Sequence, residues 1–306
     1  MKTVALRNLL RPRRYFELRA KKKKREFGMT SWHEQHWLRT YAARTYQGIG
    51  AIVDLGCFLG ATTISLAEGL ALNPKRRQKQ IHAYDLFAWD ERFELWAKGK
   101  QVEGQFTVGE SFLPEFLKRT EPWRDCIVVH QEDLTHSQWI HGPIEFLLID
   151  AMKTAEAASA ILRNFFPHLL PGISYVAQQD FAHCYTPWIH LITFRLRDSF
   201  SVAADIPVSG TTVFRCENEL SRADLDMNLS FAACSADELE AAFDYSLGLV
   251  SDEKKSNIIA AKAMAYRERG DITRAREIVT DTPYGPESMG GELERVKGFL
   301  FPSDGK

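Results

Sequence analysis

The stretch IVDLGCFLGATT, residues 52–63, decides the fold class of this 306-residue chain. An apolar run ends on an acid, Asp54, and two glycines, Gly56 and Gly60, come before a helix-like pattern. A strand that ends in a glycine-rich turn before a helix directs backbone N–H groups and the positive helix end towards one point. The stretch therefore predicts the first strand, loop and helix of a nucleotide-binding α/β domain.

The spacing of the glycines discriminates between ligands. Dinucleotide-binding folds need Gly-x-Gly-x-x-Gly, so that a pyrophosphate can approach the backbone closely. Position 58 is Phe, which would obstruct a pyrophosphate, so an NAD-dependent oxidoreductase is disfavoured. An acid followed by Gly-x-x-x-Gly fits a ligand with a cationic end and no phosphate, such as S-adenosylmethionine, whose amino-acid end Asp54 would orient. The loop residues that we expect to contact this ligand are Asp54, Gly56, Cys57, Phe58, Gly60 and Thr62.

Strand-like and helix-like segments alternate beyond this stretch, as they do in a doubly wound α/β sheet. Apolar runs predict parallel strands at 51–56, 81–86, 126–131, 145–150 and 173–179. Helical patterns lie at 60–72 and 154–168, and two further strands, 200–206 and 211–216, read as an edge hairpin. The aromatic-rich segment 88–125 is interpreted either as a lid or as a helix pair packed on the sheet.

Acidic residues stand at the carboxyl ends of the first three strands, where ligands bind in such sheets. Asp85, followed by Leu86, ends the second strand and is predicted to accept hydrogen bonds from ribose hydroxyls. Glu132 and Asp133 follow the third strand, and either could accept from the adenine amino group. Three successive acids at one sheet edge strengthen the prediction of an adenosine site.

The run from 28 to 217 resembles class I S-adenosylmethionine-dependent methyltransferases, and most of all the small-molecule O-methyltransferases of the macrocin type. The matching pieces are VDLGCFLGATT, AYDLF, HQEDL, EFLLIDAMKTAEAASAILRNFFPHLLPGI and YVAQQDF. The chain departs from the family pattern at Ile173, which stands where the family has a second glycine. The resemblance implies a Rossmann-like, mostly parallel seven-stranded sheet of order 3-2-1-4-5-7-6, with N-terminal helices and a helical C-terminal extension.

The resemblance also implies where the chemistry lies. Metal-dependent members hold a divalent cation after the fourth and fifth strands, which would assign Asp150, Gln179 and Asp180 as ligands of Mg²⁺. A metal-free site remains equally open, because Gln179 replaces a charged ligand. Transfer to oxygen needs a deprotonated acceptor, and the candidate catalytic residues are Asp150, His183 and Lys153, the last two as candidate bases because they follow Asp180 and Asp150 by three residues. Asp150 is also expected to contact the cofactor.

Two segments flank the predicted methyltransferase domain. Residues 1–27 carry eleven Lys and Arg and two Glu, a net charge of +9 against −10 for the rest. This basic arm is either a solvated segment or one that contacts an anionic surface. Residues 218–306 read as a helical extension, with one hairpin that resembles a tetratricopeptide repeat, and pack on the domain or on a second copy of the chain.

Composition favours a cytoplasmic protein with no transmembrane segment. The five cysteines are widely spaced, form no CxxC and show no spacing typical of zinc ligands, so we expect reduced thiols. The predicted activity is O-methylation of a hydroxyl on a sugar or another small polar metabolite. Two alternatives stay open: an RNA or protein methyltransferase that docks through the basic arm, and a non-catalytic cofactor-binding scaffold whose C-terminal helices bind a partner.

Overall fold

A seven-stranded sheet organises the protein, whose computed structural model describes residues 25–75, 80–282 and 291–302. The strands are β1 (Ala51–Leu55), β2 (Ile81–Asp85), β3 (Ile127–Gln131), β4 (Ile144–Ile149), β5 (Tyr175–Gln178), β6 (Phe200–Asp205) and β7 (Thr212–Cys216). Their order is β3-β2-β1-β4-β5-β7-β6. The first five strands run parallel, and β7 is antiparallel to both β5 and β6. The predicted strand order and edge hairpin are thus confirmed.

Helices cover the sheet and follow it. They are α1 (Trp32–Arg44), α2 (Ala61–Ala71), α3 (Glu91–Ala97), α4 (Leu113–Thr120), α5 (Ala155–Phe165), α6 (Trp188–Arg195), α7 (Arg222–Leu225), α8 (Ala236–Gly248), α9 (Asp252–Glu268), α10 (Ile272–Asp281) and α11 (Glu292–Leu300). Ser31 caps α1 by accepting from the Glu34 N–H at 3.2 Å. The Glu34 carboxylate does not return to this cap but bonds to Ser209 and Thr211 on the β6–β7 turn.

Both faces of the sheet are buried, which explains why its parallel strands read as continuous apolar runs. Val53 and Leu55 belong to one core cluster, with α5, α6 and the C-terminal helices. Ile52 belongs to a second cluster, with α1, α2 and the segment 88–125. Successive residues of β1 therefore contribute to opposite faces, as strand geometry requires.

The segment 88–125 forms two short helices, α3 and α4, packed against the loop that follows β1. Its aromatic rings belong to the second core cluster, with Trp89, Phe112 and Phe116 almost fully buried. A Cβ at Gly60 would lie 3.2 Å from both Phe116 and Thr120. The segment 88–125 therefore covers this loop.

The C-terminal helices share a core cluster with the sheet. The fully buried ammonium of Lys254, on α9, contacts Asp205 of β6 at 2.5 Å and the Thr211 carbonyl at 2.7 Å. The Asn257 amide, also on α9, donates to the Ala182 carbonyl at 3.1 Å. Removing one partner of a buried ion pair lowers the free energy of unfolding by about 3–5 kcal/mol, so these contacts hold α9 against the sheet. No helix in the described ranges has both the length and the apolar character that a membrane span requires.

Candidate active site

The loop after β1 has an alternating left-handed backbone. Gly56, Phe58 and Gly60 have φ of +86°, +45° and +87°. The N–H groups of Gly56 and Cys57 both donate to the Tyr84 carbonyl, at 2.8 and 3.1 Å, which ties the loop to β2. Phe58 therefore holds a conformation that usually requires glycine.

The Phe58 side chain packs against the segment 88–125. Its ring is nearly buried and lies 4.7–6.0 Å from four other aromatic ring centroids, those of Trp89, Phe93, Trp96 and Phe112. The loop backbone keeps a glycine-like shape despite this residue. The sequence argument that Phe58 excludes a dinucleotide by obstruction is therefore not supported by the structure.

Asp54 lies wholly inside the protein at the end of β1. Its Oδ2 accepts hydrogen bonds from the Thr62 and Thr63 hydroxyls of α2, at 2.8 and 2.6 Å. Its Oδ1 has no hydrogen-bond partner within the described parts of the chain. Burial raises the pKa of Asp54 to about 6. A buried carboxylate oxygen without a hydrogen bond lowers the free energy of unfolding, so we expect water or a ligand to donate a hydrogen bond to this atom.

Asp85 joins the loop to the end of β2. Its two oxygens accept from the N–H groups of Phe58, at 2.9 Å, and Phe87, at 2.8 Å. Burial raises the pKa of this carboxyl, although these backbone donors oppose the effect. Each oxygen keeps lone-pair capacity for a further donor. The neighbouring Leu86 side chain is exposed, whereas Cys57 is buried.

Glu132 and Asp133 follow β3 at the same edge of the sheet. The Glu132 N–H donates to the Asp85 carbonyl at 3.1 Å, so the backbone brings the second and third predicted acids together. Both side chains are largely exposed, and Asp133 accepts from the N–H and hydroxyl of Thr135. Of these two acids, Glu132 is the one whose backbone contacts Asp85.

A cationic side chain lies between the acids that follow β4 and β5. The Lys153 ammonium contacts Asp150 at 2.5 Å and also contacts Asp180. Burial alone would lower the pKa of Lys153, but the two carboxylates raise it. Burial opposes ionisation of Asp180 as well, yet Lys153 and His183 lower its pKa. Asp150 and Asp180 thus share one cation position, which the ammonium takes.

This cation position adjoins the loop after β1. A Cβ at Gly56 would lie 2.6 Å from the Asp150 carbonyl oxygen, so only glycine fits there. The Asp150 N–H donates to the Leu55 carbonyl at 2.8 Å, and the Gln179 N–H to the Ile149 carbonyl at 3.0 Å. The Gln179 Oε1 is buried and has no hydrogen-bond partner among the described residues.

His183 meets a carboxylate from the C-terminal extension. Its Nε2 lies 3.6 Å from Glu292 Oε1, and its Nδ1 accepts from the Tyr185 N–H at 3.3 Å. The second Glu292 oxygen accepts from the Cys184 N–H at 3.3 Å, while Arg295 holds the first at 2.9 Å. The Glu292 side chain is almost fully buried, and these contacts hold it beside His183.

Sequence reasoning missed Glu34 and Glu292. Ser31 and Glu34 have the spacing of a capping box, which indicates a helix start rather than a site, and nothing near Glu292 suggested a site. Burial raises the pKa of Glu34 to about 7, although the Thr211 and Ser209 hydroxyls oppose the effect and the charge of Asp180 adds to it. Both carboxyls reach the region of Asp180 only through tertiary packing, so no local sequence signal could have found them.

Comparisons with known proteins bear on the identity of this fold. Residues 53–177 match a family model described as a methyltransferase domain. No match was found among curated proteins. Similar solved structures include the O-methyltransferase NovP, at 13% identity, 61% coverage of this chain, 78% of its own and a TM-score of 0.46. The calicheamicin methyltransferase CalS11 gives 14%, 61%, 80% and 0.44, and the 23S rRNA methyltransferase ErmE gives 14%, 89%, 98% and 0.36.

Structural similarities at these scores support no conclusion about the acceptor. The family match covers the strands from β1 to β5, which lie in the order that the sequence predicted. Residues 53–177 thus match a methyltransferase domain, in agreement with the resemblance of the sequence to class I S-adenosylmethionine-dependent methyltransferases.

Proposed function

We propose that this protein transfers a methyl group from S-adenosylmethionine to a hydroxyl oxygen of a sugar or another small polar molecule. The observation that carries the proposal is the charged cluster at the carboxyl ends of β4 and β5. Asp150 and Asp180 share the Lys153 ammonium there, and His183 faces Glu292 beside them. Such a cluster can remove a proton and stabilise a developing oxyanion, which O-methylation requires.

The donor side of the domain fits S-adenosylmethionine. Asp54 offers a buried, unpaired carboxylate oxygen to a cationic group, and Asp85 keeps acceptor capacity for ribose hydroxyls. Glu132 or Asp133 would accept from the adenine amino group. When bound, this donor supplies an electrophilic methyl group on a sulfonium. The protein then has to orient an acceptor oxygen in line with that methyl and remove its proton.

His183 is the proposed base. Because its Nε2 faces Glu292, its Nδ1 is the nitrogen that keeps a lone pair, and the Tyr185 N–H at 3.3 Å is a weak competitor for it. Nδ1 takes the hydroxyl proton as the oxygen forms its bond to the methyl carbon. S-adenosylmethionine would supply the methyl group, and the electron pair of its carbon–sulfur bond would stay on sulfur. Lys153, held protonated by two carboxylates, acts on the acceptor as a cation rather than as a base.

The same residues fit Mg²⁺. Asp150 and Asp180 already share one cation, and Gln179 has a buried amide oxygen without a partner in the described chain, so three oxygen ligands are at hand. These residues would hold the ion in place of the Lys153 ammonium, and the ion would lower the pKa of an acceptor hydroxyl.

Calorimetry and product release test the proposed function. We expect the full chain to bind S-adenosylmethionine, and to release S-adenosylhomocysteine with members of a panel of sugars and hydroxylated metabolites. RNA and peptide pools form the other arms, and a steep salt dependence of substrate binding would indicate a nucleic acid. Donor binding without turnover in any arm would favour the scaffold alternative. Absence of donor binding would contradict the proposal.

The metal is tested by binding as well as by turnover. Lys153→Met removes the competing ammonium, so we expect Mg²⁺ to bind this variant more tightly than the wild type in calorimetry. Chelation should lower wild-type turnover, and added Mg²⁺ should restore it. If chelation and Asp150→Ala both leave turnover intact, or if Mg²⁺ binds neither protein, the metal proposal is wrong.

A further inference from the structure

Three histidines meet on the sheet beyond the site described above. His82 lies on β2, His130 on β3 and His141 in the loop before β4. Each offers one ring nitrogen, and these three atoms all lie within 4.8 Å of one another. His82 Nδ1 and His130 Nε2 are only 3.0 Å apart. The mechanism proposed above uses none of these imidazoles.

The parallel register of β2 and β3 brings the first two rings together. Tyr84 pairs with His130 in the register of the two strands. His82 comes two residues before Tyr84, so its side chain lies on the same face of the sheet as His130 and is its diagonal neighbour. Tyr84 stacks on the His130 ring at 4.0 Å, and Trp139 packs edge-on against His82 at 4.8 Å. Aromatic neighbours thus hold the rings in position without using their nitrogens.

The chemistry of the cluster suits a metal ion. A neutral imidazole has one ring nitrogen with a lone pair, the commonest metal ligand among side chains. Zn–N bonds of about 2.0–2.1 Å place tetrahedral ligand nitrogens about 3.4 Å apart. The observed 3.0 Å pair is close to this value, and the third nitrogen is within reach of a small side-chain rotation.

Two features around the cluster support the same interpretation. Glu132 Oε1 lies 3.6 Å from His130 Nδ1, the ring nitrogen that does not face His82. Metal-binding histidines usually place such a carboxylate on their other nitrogen, where it fixes the ring. His82 is buried, His130 half-buried and His141 exposed, so the cluster opens to solvent on the His141 side. An ion therefore has a route in and room for water as a fourth ligand.

We propose that His82, His130 and His141 form a binding site for a borderline divalent metal ion such as Zn²⁺. The bound ion connects β2, β3 and the loop before β4, and so stabilises the segment that carries Glu132 and Asp133. The ligands come from three elements that only the fold brings together, which explains why their sequence spacing resembles no zinc motif. This site does not depend on the proposed methyl transfer.

Zinc binding to the full chain without a purification tag tests the proposal. After dialysis against a chelator, we expect one Zn²⁺ to bind per chain in calorimetry, and the melting temperature to rise with added Zn²⁺. Glu132→Gln should weaken binding by about 10- to 100-fold. His141→Ala, at the exposed position, should abolish it without unfolding the protein. Tetrahedral Co²⁺ absorption should appear in the wild type and vanish in this variant.

Two controls keep the result specific. His136→Ala removes an exposed histidine of the same loop and should leave Zn²⁺ binding unchanged. Cys184→Ala disrupts a second group of close metal-ligand atoms among the described residues, His183, Cys184 and Glu292, and should also leave Zn²⁺ binding unchanged. Absence of Zn²⁺ binding, or binding that survives both His141→Ala and His130→Ala, would overturn the proposal.

Discussion

The proposed donor end and the proposed acceptor end of this domain are built in different ways. The donor end is the loop after β1 with Asp54 and Asp85, and its contacts run largely through backbone groups of adjacent elements. The acceptor end is the charged cluster of Asp150, Lys153 and Asp180 with His183. It is completed by a carboxylate from α11, more than a hundred residues along the chain.

The difference shows how each end can vary. A backbone cradle recognises a fixed ligand and tolerates few changes, as the left-handed loop and the close approach at Gly56 indicate. A cluster of side chains from distant elements can change one residue at a time. We infer that variants at the donor end alter donor affinity, whereas variants at the acceptor end alter the rate of turnover. The predictions below test that division.

Asp85→Ala should have the largest effect. Hydrogen bonds to charged groups contribute about 1.5–3 kcal/mol each, so losing two ribose contacts should weaken donor binding by about 100- to 10,000-fold. Asp90→Ala, an exposed carboxylate in the same segment, is the matched control and should bind the donor normally. Unchanged calorimetric affinity in a folded Asp85→Ala protein would remove the ribose assignment.

Glu292→Gln should lower kcat by about 10- to 100-fold while leaving donor affinity unchanged. A positioned base contributes about 100- to 10,000-fold to rate, and the variant weakens the position of His183 rather than removing it. Glu294→Gln, on the outer side of the same helix, serves as the control. The measurement is steady-state kinetics alongside donor calorimetry. An equal loss of kcat and donor affinity would show that the two ends are not separable.

Glu34→Gln should change the pH dependence of stability. The folded-state pKa of about 7 lies above the ordinary value of 4.5, so the folded protein binds this proton more tightly than the unfolded chain. Its free energy of unfolding therefore falls as pH rises from 4.5 through 7. The variant lacks this loss and should be more stable than the wild type by about 2 kcal/mol at pH 8. Chemical denaturation at pH 5 and 8 measures it.

The control for Glu34 is Glu156→Gln, an exposed acid in the first turn of α5. This variant measures what the loss of an exposed carboxylate alone does to stability. A Glu34→Gln curve parallel to that of the wild type would show that burial does not hold a proton on this carboxyl.

His190→Leu should have the smallest effect, a gain in stability of about 1 kcal/mol at neutral pH. The ring lies between Phe181 and Phe243, at 5.0 and 4.8 Å, and neither nitrogen has a hydrogen-bond partner within the described residues. Replacing such a group by an apolar one removes an uncompensated desolvation cost.

Acid should enlarge the difference between His190→Leu and the wild type. Burial lowers the pKa of His190 to about 3, so the unfolded chain binds this proton first as pH falls below 6.5. The wild type therefore loses stability between pH 6.5 and about 3, and the variant does not. His136→Ala is the exposed control. A constant difference across this pH range would contradict the assignment.

The sequence predicted the scaffold well, because the scaffold follows local rules. Strand limits came from apolar runs, the loop from Gly56 and Gly60, and the strand order from the family resemblance, which the structure confirms. Each candidate acid fell at a strand end, where a parallel sheet brings carboxyl termini to one edge.

Three features could not be predicted because they depend on the packing of distant elements. Lys153 was one of two candidate bases, and its contacts with both Asp150 and Asp180 had no signal in the sequence. The buried pairing of Glu34 with Thr211 and the contact of Glu292 with His183 join segments far apart in the chain. Pattern and spacing carry no information about such contacts.

The dependence of the site on α9 and α11 has a consequence for biosynthesis. A nascent chain that ends after β7 has all seven strands of the sheet. In this chain Asp205 lacks its partner Lys254, and the core cluster that packs against the C-terminal helices is exposed. Exposed apolar surface on such an intermediate favours association with other chains. We therefore expect the domain to become active only after the helices that follow it have left the ribosome, and we expect a chain truncated after β7 to aggregate.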